Sequence, residues 1–170
     1  MAITRRTRND ANSSANIINV LPGIERSIHR EGVLQGVSEY LTPGCIVVPA
    51  TGTPPTSSGY QGAVTRYMPP TGAIVGNAWS VLDITPADGG NLLSEYKESD
   101  QVPAVARVTG ATFNVRISAN ATVEEGQALS AATDGSGFVV PGGAAPIGVA
   151  REDLVVKDPD LPTFILMEVL

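Results

Sequence analysis

The sequence predicts a mainly β protein, a small antiparallel β-barrel or sandwich body over residues 32–170, preceded by an extended arm over 1–31. At most one short helix is expected. Three observations lead there. Apolar runs are short and separated by glycine-bearing turns, most regularly from Phe113 to Leu170, where no run is long enough for a helix. Eighteen Gly and thirteen Pro are spread along the 170 residues, which favours many short strands joined by turns. Phe113, Val115 and Ile117 alternate with Asn114, Arg116 and Ser118, which predicts one buried face and one wet face.

The arm comes first. Residues 1–16 are polar and carry no apolar period, the composition of a tail that does not build a core. Ile17, Ile18, Val20 and Leu21 then precede Pro22-Gly23, which breaks any helix across the segment. Ile24 and Ile28 follow, four apart, and fit either a short helical turn or an extended clamp. Arg5, Arg6, Arg8, Arg26 and Arg30 face only Asp10 and Glu25 within the first thirty residues, a surplus of +3 that leaves −9 for the rest of a chain of net charge −6. A basic arm therefore precedes an acidic body. Arg5, Arg6, Arg8, Ile17, Ile18, Arg26 and Arg30 are the candidate contacts to another subunit or protein.

Strand pattern starts at Gly32, with Gly32 to Val37 and then Cys45 to Pro49. Leu41-Thr42-Pro43-Gly44 and Val123-Glu124-Glu125-Gly126 share a spacing in which a turn feeds a strand, a recurring β-barrel grammar. Residues 49–62, rich in Pro, Gly, Ser and Thr, form a loop insertion longer than an ordinary connection. Strands resume over Ala63 to Met68 and Ala73 to Leu82, the second holding Trp79. Within 83–101, Asp88 as a cap and Leu92, Leu93 and Tyr96 at helical spacing mark the place for the helix. Val102 to Val108 and Thr112 to Ile117 return to strand. Asp134-Gly135 and Ser136-Gly137 supply the positive-φ residues of a hairpin. Phe164 to Leu170 is a strongly apolar last strand, expected to close the sheet.

Chemistry-bearing residues are sparse. His29 has no second His or Cys within reach along the sequence, and reads as a surface or interface residue. Cys45 precedes Ile46-Val47-Val48 and reads as a small buried hydrophobe, and one cysteine excludes an internal disulfide framework. Glu124-Glu125 sits in a turn. Glu152-Asp153 with Asp158 and Asp160 offers oxygen ligands but no calcium-loop spacing. Asp134-Gly135-Ser136-Gly137 precedes no helix pattern, so it does not read as a phosphate cradle. Asn12-Ser13-Ser14 and Asn120-Ala121-Thr122 match glycosylation acceptors, without a secretory signal before them. No nucleophile–base pair, metal cluster or cofactor loop is evident, so the expectation is a protein that is not an enzyme and needs no cofactor. The acidic balance argues against direct nucleic-acid binding, and no apolar run approaches a membrane span of about 20 residues. A small-molecule substrate is not expected either.

The carboxy-terminal order of elements supports a comparison. A turn glycine feeds a strand, the Asp134-Gly135 hairpin follows, and then Phe138-Val139-Val140-Pro141, Pro146-Ile147-Gly148-Val149-Ala150 and an ending in Met167-Glu168-Val169-Leu170. Over residues 102–170, with further support from 32–48, this resembles the capsid cement, or head decoration, proteins of tailed phages and related viruses. The long arm and the 49–62 loop depart from the simplest members. The resemblance implies a structural virion protein on the capsid exterior, made in the host cytoplasm and often trimeric. It would bridge subunits of the major capsid protein and stabilise an expanded icosahedral shell. Two other readings stay open: a carbohydrate- or receptor-binding β-domain on a virion, using Trp79, Tyr60 or Tyr67 as an aromatic platform, and a minor coat protein integral to the shell.

Overall fold

The computed structural model describes residues 6–7, 29–50, 65–74, 78–84, 91–156 and 163–170, with only the backbone of Arg6, Thr7 and His29. In chain order the strands are β1 (Arg6–Thr7), β2 (His29–Leu34), β3 (Ile46–Pro49), β4 (Arg66–Met68), β5 (Ser80–Leu82), β6 (Gln101–Ala106) and β7 (Thr112–Arg116). They continue as β8 (Thr122–Val123), β9 (Ala128–Ala131), β10 (Val139–Pro141), β11 (Pro146–Ala150), β12 (Leu154–Val155) and β13 (Phe164–Val169). The protein is mainly β, and the described residues contain no helix.

The strands make a closed barrel in the order β2-β4-β3-β5-β6, a five-stranded sheet in the order β10-β9-β11-β13-β7, and a small sheet β1-β12-β8. The barrel is mixed, because β2 and β4 run parallel while its other pairs are antiparallel. The five-stranded sheet nearly closes too. Ile117, just past β7, bridges Val139 of β10 in parallel, and the Ser118 amide donates to the Val139 carbonyl at 3.0 Å. Its two edges therefore meet, which leaves little free backbone for another chain to pair with.

Period-two alternation divides the buried apolar residues of the barrel between two cores. Leu34, Val47, Tyr67, Leu82, Val102 and Ala104 pack together with Cys45 and fill the barrel. Their chain neighbours Ile46, Val81 and Val105 point the other way and join Trp79, Phe113, Val115, Phe164 and Met167 in the larger cluster. Strands β3, β5 and β6 are thus buried on both faces, and the larger core is continuous from the barrel wall into the second sheet. Trp79 and Phe113 meet across that seam with ring centroids 6.4 Å apart at 58°, a tilted contact of about 0.5–1.5 kcal/mol beyond area burial.

The predicted wet face of β7 is a correction. Asn114 and Arg116 are buried, at 7% and 6% exposure, the arginine against the Pro43-Gly44 turn and the loop at Leu92. Arg116 is the strut of the seam. Its Nε donates to the Pro43 carbonyl at 3.2 Å, its Nη2 donates to the Leu92 carbonyl at 2.6 Å, and its guanidinium stacks 4.5 Å above the Phe164 ring. Its backbone amide also donates to Gly44 O at 2.9 Å. Burial pulls the guanidinium below its usual pKa, and two carbonyls and a ring face stand in for the lost water.

The expected helix within 83–101 is also corrected over its described part. Asn91 starts a tight turn, its Oδ1 accepting from the Leu93 amide at 2.7 Å while Ser94 N donates to Asn91 O at 3.0 Å. Leu92 is buried and Leu93 exposed, and Tyr96 then pairs with Leu41 in an antiparallel bridge. Asp88 lies outside the described residues. The last strand β13 does not close the sheet but runs inside it, between β11 and β7. Strand β2 opens at His29, whose backbone pairs with Val105, so 29–31 belong to the barrel wall. Of the 49–62 loop, 51–62 lie outside the described residues.

The shared turn spacing has a physical basis. Cys45 N donates to Thr42 O at 3.1 Å and Gln127 N to Glu124 O at 3.0 Å, and the third residues Gly44 and Gly126 sit at φ of 88° and 85°. Such turns require positive φ at the third residue, which glycine adopts without steric cost. Lys97–Asp100 repeats the bond at 3.1 Å with Ser99 at φ 72°, and Asp100 Oδ2 supports it by accepting from Lys97 N at 2.7 Å. Gly135 and Gly137 have positive φ as expected, in a connection longer than a tight hairpin between the paired strands β9 and β10.

Candidate functional site

The candidate arm contacts are not gathered into one patch by the described residues. Arg5, Arg8, Ile17, Ile18 and Arg26 lie outside them. The backbone of Arg6–Thr7 runs parallel to Leu154–Val155, so this short piece of the arm lies on its own body. Arg30 is exposed on β2, opposite Ala104 of β6.

The carboxylates weighed as metal ligands are occupied by backbone. Glu152 Oε1 accepts from the Leu166 amide at 2.9 Å and Asp153 Oδ1 from the Glu125 amide at 2.8 Å. Glu152 thus ties to strand β13 and Asp153 to the turn at Glu125. Among the described residues no group of His, Cys, Asp and Glu is set to hold a metal ion. Asp158 and Asp160 lie outside the described residues. Across the same region Arg151 pairs with Glu168, an exposed ion pair of small energetic weight.

Cys45 is buried to 1% exposure, with Sγ 3.7 Å from Thr42 Oγ1. Burial pushes its thiol pKa up, which Thr42 and Arg116 only partly offset, so the thiolate is disfavoured there. The aromatics proposed as a binding platform are in the core: Trp79 is 3% exposed and Tyr67 is 2% exposed. Tyr60 lies outside the described residues.

What the sequence does not reveal is a cleft at the seam. One wall is the stretch from Ser38 to Thr42, ahead of β3, and the other is the 134–138 connection of the second sheet. Its volume is about 280 Å³, near the lower end of the range of about 300–1,000 Å³ for ligand pockets. Both walls are pinned. Ile46 N donates to Gly137 O at 2.6 Å, and Leu41 exchanges backbone hydrogen bonds of 2.8 and 2.7 Å with Tyr96. Asp134 Oδ1 accepts from the Ser136 amide at 2.9 Å, and Ser136 holds the carboxyl below its ordinary pKa. Tyr40 stands in this cleft 48% exposed, the one aromatic among the exposed large hydrophobic side chains of the described residues.

No protein-family model matches the sequence, and no curated protein matches it. Among solved structures the chain is similar to the head fiber gp8.5 N base in bacteriophage phi29, at 10% identity and a TM-score of 0.48, over 85% of this chain and 95% of that one.

Proposed function

We propose that the chain is a structural protein of a phage virion, a decoration or cement protein that sits on the outside of an icosahedral shell and bridges subunits of the major capsid protein. The observation that carries this reading is the core shared by barrel and sheet. With β3, β5 and β6 buried on both faces and Arg116 bonded across the seam, the body is one stiff block and not two modules on a hinge. A load-spreading clamp needs that stiffness, since a block that yields internally transmits little force between the subunits it touches. Closed or nearly closed sheets also suit a protein displayed in many copies, because free strand edges would invite aggregation. The basic first thirty residues and the acidic remainder give opposite potentials with which to steer onto a shell or a sister copy, and a cyclic trimer is the assembly the resemblance implies.

The test is gradient co-sedimentation of purified protein with expanded phage heads that lack it. Saturable binding at a fixed number of copies per head is the expected result, and a version lacking residues 1–16 should remain folded and bind more weakly. Folded protein that stays at the top of the gradient with heads present would sink the reading.

A further inference from the structure

We propose that the seam cleft is a saccharide-binding subsite that takes one neutral pyranose unit, stacked on Tyr40, with its hydroxyls bonded to Glu39 and Asp134. The inference stands on the cleft alone and does not depend on attachment to a shell. Two independent features coincide there. The cleft is concave and mixed in character, and the exposed aromatic ring stands in it. A tyrosine left about half exposed on a rigid β body, while Trp79 and Tyr67 are fully used in the core, offers a flat apolar face that solvent does not satisfy. The axial C–H groups of a pyranose carry slight positive charge and match the negative face of such a ring.

The polar lining narrows the ligand class. Glu39 and Asp134 line the cleft from walls far apart in sequence, together with Ser38, Thr42 and Ser136. No Lys or Arg lines it, which disfavours acidic sugars and phosphates. Ionised carboxylates accept only, so a fitting ligand must bring several O–H donors, and each such bond is charge-assisted. Asp134 accepts from the Ser136 amide at Oδ1 and also from the Ser136 side chain, which fixes its orientation, and a carboxylate has further lone pairs with which to meet a ligand. Ser136 is fixed in turn, its Oγ accepting from Phe138 N at 3.2 Å. With both walls pinned by backbone hydrogen bonds, little ordering entropy is left to lose on binding.

The experiment is an amide-resolved NMR titration of the full chain with methyl glucoside, galactose, N-acetylglucosamine and lactose. N-acetylneuraminic acid and N-acetylarginine amide serve as the acidic and basic comparators. The expected result is saturable shifts confined to amides 38–42 and 134–138 for at least one neutral sugar, with Kd of about 1 mM and little change at high salt. Tyr40→Ala should abolish these shifts and Glu39→Gln should weaken binding about tenfold, the size of one lost hydrogen bond to a charged group. Asp134→Asn provides a second carboxylate probe. No saturation with any neutral sugar overturns the proposal. So does saturation only by N-acetylarginine amide that disappears with salt, which would mark an organic-cation site, and so does unchanged sugar binding by Tyr40→Ala. Shell binding by Tyr40→Ala, measured by co-sedimentation, reports separately on the cement reading.

Discussion

The barrel and the second sheet solve the same problem in different ways. The barrel is assembled from β2, β3, β4, β5 and β6, spread over residues 29–106 and separated by long connections, and it closes completely. The second sheet comes from β7, β9, β10, β11 and β13 within residues 112–169, and its edges meet through the single Ile117–Val139 bridge. The barrel has its own interior, yet Ile46, Val81, Val105 and Trp79 on its outside are buried only because the second sheet covers them. The more local half thus supplies the lid for the less local one. Stability should be concentrated at the seam, not inside either closed wall.

The largest expected effect follows from that. Trp79→Ala removes the barrel's main contact with Phe113 and opens a cavity in the shared core, with an expected loss of about 3–5 kcal/mol. Urea unfolding would show it as a lower midpoint. If the two halves are one cooperative unit, tryptophan-independent probes in each half lose stability together, and separate transitions would break the comparison.

A smaller effect sharpens it. A Cβ at Gly44 would lie 2.6 Å from Phe164 Cε1, across the seam, and the residue's φ of 88° disfavours any side chain. Gly36 has φ of 71° but nothing within 4 Å of a Cβ. Gly36→Ala should therefore cost about 1–2 kcal/mol from backbone strain alone. Gly44→Ala should cost about 3 kcal/mol, the same strain plus overpacking. Equal losses in thermal melts would mean that the seam yields there and is not tightly packed.

The sequence showed most clearly what short stretches decide. The turns at Gly44 and Gly126, the positive φ of Gly135 and Gly137, and the buried set Phe113, Val115 and Ile117 all follow from neighbours within a few residues. Arg116 did not, because its carbonyl partners Pro43 and Leu92 are 73 and 24 residues away. On an alternating strand an arginine ordinarily marks the wet face, and only tertiary packing reverses that. The Leu92, Leu93 and Tyr96 spacing misled for a related reason. Asn91 closes a turn with its own side chain and Tyr96 finds a distant bridge partner in Leu41, which together outweigh a helical period of a few residues. The cleft at Tyr40 was hidden altogether, since its walls are almost a hundred residues apart and meet only when the two halves dock.

The smallest expected effect lies on the cleft wall, outside both cores. Ser136 holds the Asp134 carboxyl below its ordinary pKa, so the ionised form is favoured in the folded state. That contribution is present above the ordinary carboxylate range and is lost as pH falls through the folded value. Asp134 is exposed, so solvent screens it, and Asp134→Asn should lower stability at neutral pH by no more than about 0.5 kcal/mol. The gap to the parent protein should close on acidification, as followed by urea midpoints across a pH series. A gap that persisted in acid would mean that the 134–138 loop relies on the shape of the side chain and not on its charge. The loop would then be held by packing as the seam is, and the contrast between a core held by burial and a cleft wall held by hydrogen bonds would fail there.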